Sequence, residues 1–331
     1  MEKISIIIPS FNSSKTIEEC LNAATKLDYG NYEVIVVDDA SRDNSAKIIK
    51  KFPCRLIRVK NNVGAAESRN IGARHAKGSI LLFMDSDIII PRNALKLAVR
   101  FFYEKKTDVF FASFNPRLRF KDFFSQYKHL YLCYYYKKQA ETLHTLDTSF
   151  TFIKKKVFND FHGFNKNIRV SEDIDLGVRL TGKGYKIYQA KNIQMEHIKH
   201  YTFKDFIKTD LIRSERISKI FLSSLFGKRK SKKKSFYLRP MNIYVSIPLC
   251  SLILIVSVLS IIFKNSVLGW ITKGLLMSFV IVNIDFWNYL RKVNGIFFAL
   301  KASFINFVDM LIMNAGVIVT SINFIIKRGN I

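Results

Sequence analysis

The sequence predicts an α/β fold class, an open and mostly parallel sheet, followed by an α-helical transmembrane region. Three observations predict it. Short apolar runs rich in β-branched residues alternate with helical periods through about the first 200 residues. A stretch from Met241 to Phe263 contains no charged residue, and it exceeds the roughly 20 positions a helix needs to cross a bilayer core. Immediately before that stretch Lys and Arg are crowded together.

Taken in order, Ile4 to Ile8 and Glu33 to Val37 are continuous apolar runs of the kind expected in a sheet covered on both faces. Between them, Ile17, Leu21 and Ala24 give a helical period over Ser14 to Leu27, with Ser13 or Ser14 available as N-cap. A third strand, Arg55 to Val59, leads to a helix around Ala65 to Ala76, and a fourth, Ser79 to Met84, ends at Asp85. Ligands of such sheets bind at the C-terminal strand ends, which draws attention to the residues just after each strand.

From Thr202 to Leu225, apolar residues such as Phe203, Phe206, Ile207 and Leu211 recur with a helical period among Lys and Arg. This segment reads either as an interfacial helix on a membrane surface or as a helix packed on its own domain. Residues 227–240 form a polybasic linker suited to anionic lipid headgroups. Beyond it, spans are expected at about 241–263, 267–290 and 302–326, two or three of them crossing. Lys273, Asp285 and Asp309 are the charges inside the second and third, and the acids are the costlier. The organisation is therefore a catalytic segment over 1–226, a linker, and a membrane region over 241–326.

The formal net charge of +27 implies an anionic partner. Its concentration beside the first span points to lipid and argues against nucleic acid, which would need basic residues interleaved with stacking aromatics on the soluble part. Four cysteines at irregular spacing fit neither a zinc site nor a disulfide framework. The apolar run at the N-terminus is too short for a signal peptide, so the catalytic part is expected in the cytoplasm.

No GxGxxG follows the first strand and no GxxxxGK[ST] occurs, which removes dinucleotide and P-loop readings. The strand ends instead carry Asp38-Asp39 and Asp85-Ser86-Asp87. Two carboxylates one residue apart can hold a hard divalent cation that bridges a diphosphate. The runs Ser5-Ile-Ile-Ile-Pro-Ser-Phe-Asn12, Val36-Val-Asp-Asp-Ala-Ser41, Asn62-Val-Gly-Ala-Ala-Glu-Ser-Arg-Asn-Ile-Gly72 and Leu82-Phe-Met-Asp-Ser-Asp87 stand in that order. The series resembles the family 2 glycosyltransferases, whose catalytic domain has the Rossmann-like GT-A fold, over about residues 3–226.

The resemblance implies that Pro9, Ser10 and Asp39 bind the donor nucleoside and that Arg69 sits near the diphosphate, with Asp85 also on the donor. Ser68 stands where the family usually has Ala. It further implies a divalent metal, Mn²⁺ or Mg²⁺, on Asp85, Asp87 and His197, with Asp87 the more direct ligand and His200 the competing candidate to His197. His162-Gly-Phe-Asn165 and Ser171-Glu-Asp-Ile-Asp resemble the Gly-Gly-Phe-Asp and Glu-Asp segments, with His162 and Asn165 as departures. By the same resemblance Asp173 is the base that deprotonates the acceptor, oriented by Glu172.

The implied partners are a nucleotide-sugar donor and a lipid or lipid-linked glycan acceptor; the alternatives are a polyprenyl-phosphate glycosyltransferase, whose attacking group is a phosphate, and a non-catalytic membrane protein that retains the nucleotide-sugar fold. The tryptophans, Trp270 and Trp287, lie in the membrane segments, so the Gln-x-x-Arg-Trp motif of processive synthases is missing and single addition is expected. The aromatic cluster Tyr127 to Tyr136 fits either packing or an acceptor-side wall.

Overall fold

A computed structural model describes residues 1–168, 171–226 and 241–329. The elements run β1 (Ile4–Ser10), α1 (Ile17–Ala24), β2 (Tyr32–Asp38), α2 (Ser45–Ile49), β3 (Arg55–Arg58), α3 (Ala65–His75) and β4 (Ile80–Met84). Then come β5 (Ile88–Ile89), α4 (Ala94–Lys105), β6 (Val109–Phe114), α5 (Phe123–Lys138), β7 (Thr142–Leu143), β8 (Phe150–Lys154) and α6 (Lys155–Asp160). The chain continues through α7 (Glu172–Gly182), β9 (Ile187–His197), α8 (Phe203–Phe226), α9 (Met241–Ile262) and α10 (Ser266–Gly329). Two compact units result, Met1–Arg119 with Gln139–Lys199, and Phe120–Lys138 with His200–Ile331.

In the first unit the strands lie in the order β3-β2-β1-β4-β8-β6-β9-β5, with β7 added on β9. The first four are mutually parallel, as their helical crossovers require, whereas β8 enters antiparallel between β4 and β6. Consecutive residues of a strand face opposite sides of the sheet, so the complete burial of Ile6, Ile7 and Ile8 shows that both faces of β1 are covered. This is the reason for its uninterrupted apolar run.

One local expectation fails. The N-cap of α1 is Thr16, without a side-chain cap hydrogen bond, and neither Ser13 nor Ser14 caps the helix. The backbone of both serines is tied to the start of α2 and the loop before it: the Ser13 N–H donates to Ser45 Oγ at 2.8 Å and the Ser14 N–H to Asp43 Oδ2 at 3.0 Å. The Ser13 carbonyl accepts the first N–H groups of the helix. The Ser13 hydroxyl pairs with that of Ser10 at 2.6 Å in place of a helix N–H.

The second unit is helical. Helix α9 and α10 are long and apolar, and most of their apolar surface is not buried against protein; Phe297 is 86% and Trp270 69% exposed. Both helices are long and apolar enough to cross a membrane. Helix α10 continues through Arg291 and Lys292 and breaks at Gly295, where φ is 84° and ψ 173°. That backbone is one L-residues with a Cβ rarely adopt, so the break falls on the glycine and not at the charged pair.

Helix α8 groups with this unit and buries Phe206 against Phe124 and Tyr127 of α5. The side chains of Ile217, Ile220, Phe221 and Leu225, and the whole of 227–240, lie outside the described residues. Tyr127, Tyr131 and Tyr134 pack on Phe286 of α10, so the aromatic cluster of α5 is core. The acids expected to be costly inside the apolar helices have cations: Asp285 pairs with Lys138, and Asp309 with Lys128 at 3.4 Å and with the Tyr127 hydroxyl at 3.0 Å.

Candidate active site

All the candidate site residues belong to the first unit. Because β1, β2 and β4 are parallel, their C-terminal ends put Pro9, Asp39 and Asp85 along one edge of the sheet. A cleft of about 200 Å³ opens there, lined among others by Pro9, Ser10, Asp39, Arg69, Asp85 and Asp87. Asp39 is buried, and its two carboxylate oxygens accept the N–H groups of Val63 and Gly64 at 2.7 and 2.9 Å. Those bonds hold the loop into α3 against the cleft.

Arg69 emerges from α3 and is 4% exposed. Its Nη2 donates to Asp85 Oδ1 at 2.7 Å and its Nη1 to Glu172 Oε1 at 2.6 Å. The guanidinium fork thus joins the end of β4 to the start of α7, two segments far apart in sequence. Two buried atoms beside it, Arg69 Nε and Ser68 Oγ, have no hydrogen-bond partner among the described residues. Ser68 and Arg69 both line the cleft.

The hairpin-like pairing of β5 with β9 sets Ile88 opposite His197 and brings His197 Nε2 to 3.3 Å from Asp87 Oδ2. His200 lies in the other unit, 3.2 Å from Asp122. Burial pushes the Asp87 carboxyl up, but the hydrogen bond and charge of His197, with Lys199, outweigh it and hold the group below its usual range. Asp85 goes the other way, raised by burial and by Asp87 against the pull of Arg69.

Asp87 and His197 therefore converge, while Asp85 is committed to Arg69, and among the described residues no three acidic, His or Cys side chains already form a ligand cluster. One carboxylate and one imidazole completed by diphosphate oxygens and water are a donor set that fits Mn²⁺ or Mg²⁺, which bind through few protein ligands plus substrate phosphates.

Asp173 follows Glu172 in the first turn of α7. Part of its surface reaches solvent, yet the protein packed round it, with Asp147 and Glu172 nearby, pushes its carboxyl up to about 7. A carboxylate of that basicity is matched to removing a hydroxyl proton near neutral pH. Asp147 was not singled out in the sequence, because it precedes a strand. Since β8 is antiparallel to β4, however, its N-terminal end lies at the same sheet edge as the C-terminal end of β4. The charge of Asp147 bears on both Asp85 and Asp173.

A cleft at the C-terminal strand ends of a mixed sheet, carrying an Asp-x-Asp and faced by the helix of Glu172 and Asp173, is the arrangement that the resemblance to the GT-A fold implies. The glycosyl transferase family 2 profile matches residues 5–161, and the chain carries a family 2 glycosyltransferase domain. It is 39% identical over 116 residues to the poly(ribitol-phosphate) β-N-acetylglucosaminyltransferase TarS of Staphylococcus aureus, covering 33% of this chain and 20% of that protein. It is 25% identical over 262 residues to the poly-β-1,6-N-acetyl-D-glucosamine synthase of the same species, covering 75% of this chain and 62% of that one.

The chain thus spans less than two thirds of the length of these curated relatives. Among solved structures, the mannosyltransferase PcManGT of Pyrobaculum calidifontis, in complex with GDP-mannose and Mn²⁺, shares the fold at a TM-score of 0.64 and 17% identity, over 93% of this chain and 87% of that one.

Proposed function

We propose that this protein is a membrane-bound inverting glycosyltransferase that adds a single sugar from a nucleotide-sugar donor to a lipid or lipid-linked glycan acceptor in cell-envelope glycan synthesis. The observation that carries this reading is the Arg69 bridge, which gathers Asp85 of the donor side and Glu172 beside Asp173 into one site. The relatives support it, since both Staphylococcus proteins are named for glycosyl transfer or glycan synthesis.

In this reading Pro9, Ser10 and Asp39 hold the nucleoside, and Arg69 sits near the diphosphate. Asp87 and His197 hold the divalent cation, with Asp85 beside them, and the cation neutralises charge on the leaving diphosphate when bound. Asp173 takes the acceptor proton, and Glu172, fixed by Arg69, orients the first turn of α7. The catalytic segment 1–226 lies on the cytoplasmic face, the basic stretch 227–240 binds anionic lipid, and the region 241–326 crosses the bilayer two or three times.

The test is release of free nucleotide from a panel of UDP-, GDP-, CMP- and dTDP-sugars by the detergent-purified full chain with Mn²⁺ or Mg²⁺. Release from one donor, lost in Asp87→Asn and on chelation, is expected. Silence across the panel, with membrane lipid extract supplied as acceptor, would leave only a binding role.

A further inference from the structure

Besides the Arg69 fork, a second connection ties α3 to α7, and it runs through the turn after α6. Asn70 of α3 bonds both backbone groups of Phe164: its Nδ2 donates to the Phe164 carbonyl at 2.9 Å and its Oδ1 accepts the Phe164 N–H at 2.9 Å. From α7, Arg179 Nη2 donates to the Gly163 carbonyl at 2.7 Å and Nη1 to that of Phe161, while Nε donates to Asp175 of the same helix at 2.8 Å. A Cβ on Gly163 would lie 2.6 Å from Asn70 Oδ1, and φ there is 64°, so glycine is what lets the backbone come this close.

The turn held in this way carries Phe164, which is 2% exposed. Its ring packs on Phe83 of β4, just before Asp85, and on Phe158, with ring centroids 5.0 and 5.2 Å apart. The Arg69 guanidinium lies over the same ring, 5.9 Å from its centroid. A planar fork reaches Asp85 and Glu172 together only while its plane is fixed. Asn70 thus anchors the ring on which its own sequence neighbour rests. Arg179 anchors the same turn from the helix that begins with Glu172 and Asp173.

Resting on the transferase reading above, we infer that Asn70 and Arg179 are positioning residues: acting through the Phe164 turn on Arg69, they hold Asp85 of the donor side and the end of α7 that bears Asp173 at their working separation. Neither lines the donor cleft. Misplacing reacting groups by about 1 Å costs roughly a hundredfold in rate. Loss of either residue is therefore felt in turnover, while Pro9, Ser10 and Asp39 still hold the nucleoside.

The full chain in detergent is assayed with the donor that gives nucleotide release, with membrane lipid extract as acceptor, and the donor nucleotide is titrated calorimetrically. Asn70→Ala should lower kcat roughly tenfold to a hundredfold, with the nucleotide Kd changed by less than about threefold. Introduced together with Arg69→Lys, the same substitution should lower kcat by no more than about twofold further, because the group it positions is already gone. Arg179→Lys, which keeps the charge and loses the fork, should repeat the pattern. Asn70→Asp, which keeps the acceptor for the Phe164 N–H and loses the donor, serves if Asn70→Ala folds poorly.

An unchanged kcat in the Asn70 and Arg179 variants, a loss confined to nucleotide affinity, or the same fall in kcat with and without Arg69→Lys overturns the inference. The last of these would mark a loss of fold that does not pass through Arg69. Absence of nucleotide release from every donor in the wild type would instead remove the transferase reading beneath it.

Discussion

Arg69 and Glu172 stand 103 positions apart in sequence and meet at 2.6 Å, both buried. Removing one partner of a buried, hydrogen-bonded ion pair costs about 3–5 kcal/mol because the other charge is left uncompensated. Glu172→Gln should therefore lower the thermal midpoint of the detergent-solubilised protein and reduce turnover together. Arg69→Lys should do the same, since an ammonium cannot span Asp85 and Glu172 as the planar fork does. Scanning fluorimetry beside nucleotide release checks both.

Asp173→Asn isolates the proton transfer. Loss of a positioned general base lowers rates by roughly a hundredfold to ten-thousandfold. The expected result is a fall of that order in kcat with donor binding unchanged, measured by calorimetric titration of the donor nucleotide. Full turnover in this variant would show that the acceptor needs no deprotonation, as a phosphate would not.

With its carboxyl pushed up to about 7, Asp173 is protonated at pH 6 and ionised at pH 8. The rate at low acceptor should accordingly rise through this window and level off above it. The same shift has an opposite consequence for stability. A folded-state pKa above the ordinary carboxylate value means that ionisation is resisted by the fold, so stability falls as pH rises from about 4 through 7. Asp173→Asn should then be more stable than wild type at pH 8, by about 1–2 kcal/mol after screening of a partly exposed group, and the difference should close by pH 4. Thermal midpoints at the two pH values decide this.

Asp87→Asn removes the carboxylate that His197 approaches at 3.3 Å. Nucleotide release should drop at least tenfold to a hundredfold and lose its response to added Mn²⁺, with the thermal midpoint little changed, because the amide keeps the size of the carboxylate and a hydrogen bond to His197. Isothermal titration of Mn²⁺ in the presence of donor nucleotide gives the direct readout.

Gly295→Ala tests the helix break. At φ 84° and ψ 173° an L-residue is strained by about 1–3 kcal/mol, so the variant should lose thermal stability or straighten α10. Protease accessibility of the neighbouring backbone, compared between the two proteins in detergent, distinguishes these outcomes.

What the sequence determined was local chemistry and period. Burial of both faces of β1 favours apolar residues on each side, so the strand is visible from Ile4 to Ile8, where the one buried polar residue, Ser5, is hydrogen-bonded to Glu33, and Asp39, Asp85 and Asp87 stand out because they follow strands. The uncharged stretch from Met241 likewise announces itself, since its length is set by a bilayer or an equivalent apolar surround.

Only the tertiary structure decided which distant groups meet. The pairing of Arg69 with Glu172, the burial of Lys128 against Asp210 and Asp309, and the bonding of the Ser13 and Ser14 N–H groups to Ser45 and Asp43 all join segments that no local pattern relates. Asp147 is the clearest case. A carboxylate before a strand lies away from the ligand edge when that strand is parallel to its neighbours, and it reaches the site here because β8 runs antiparallel to β4, a matter of strand order that hydrogen bonding across the sheet settles.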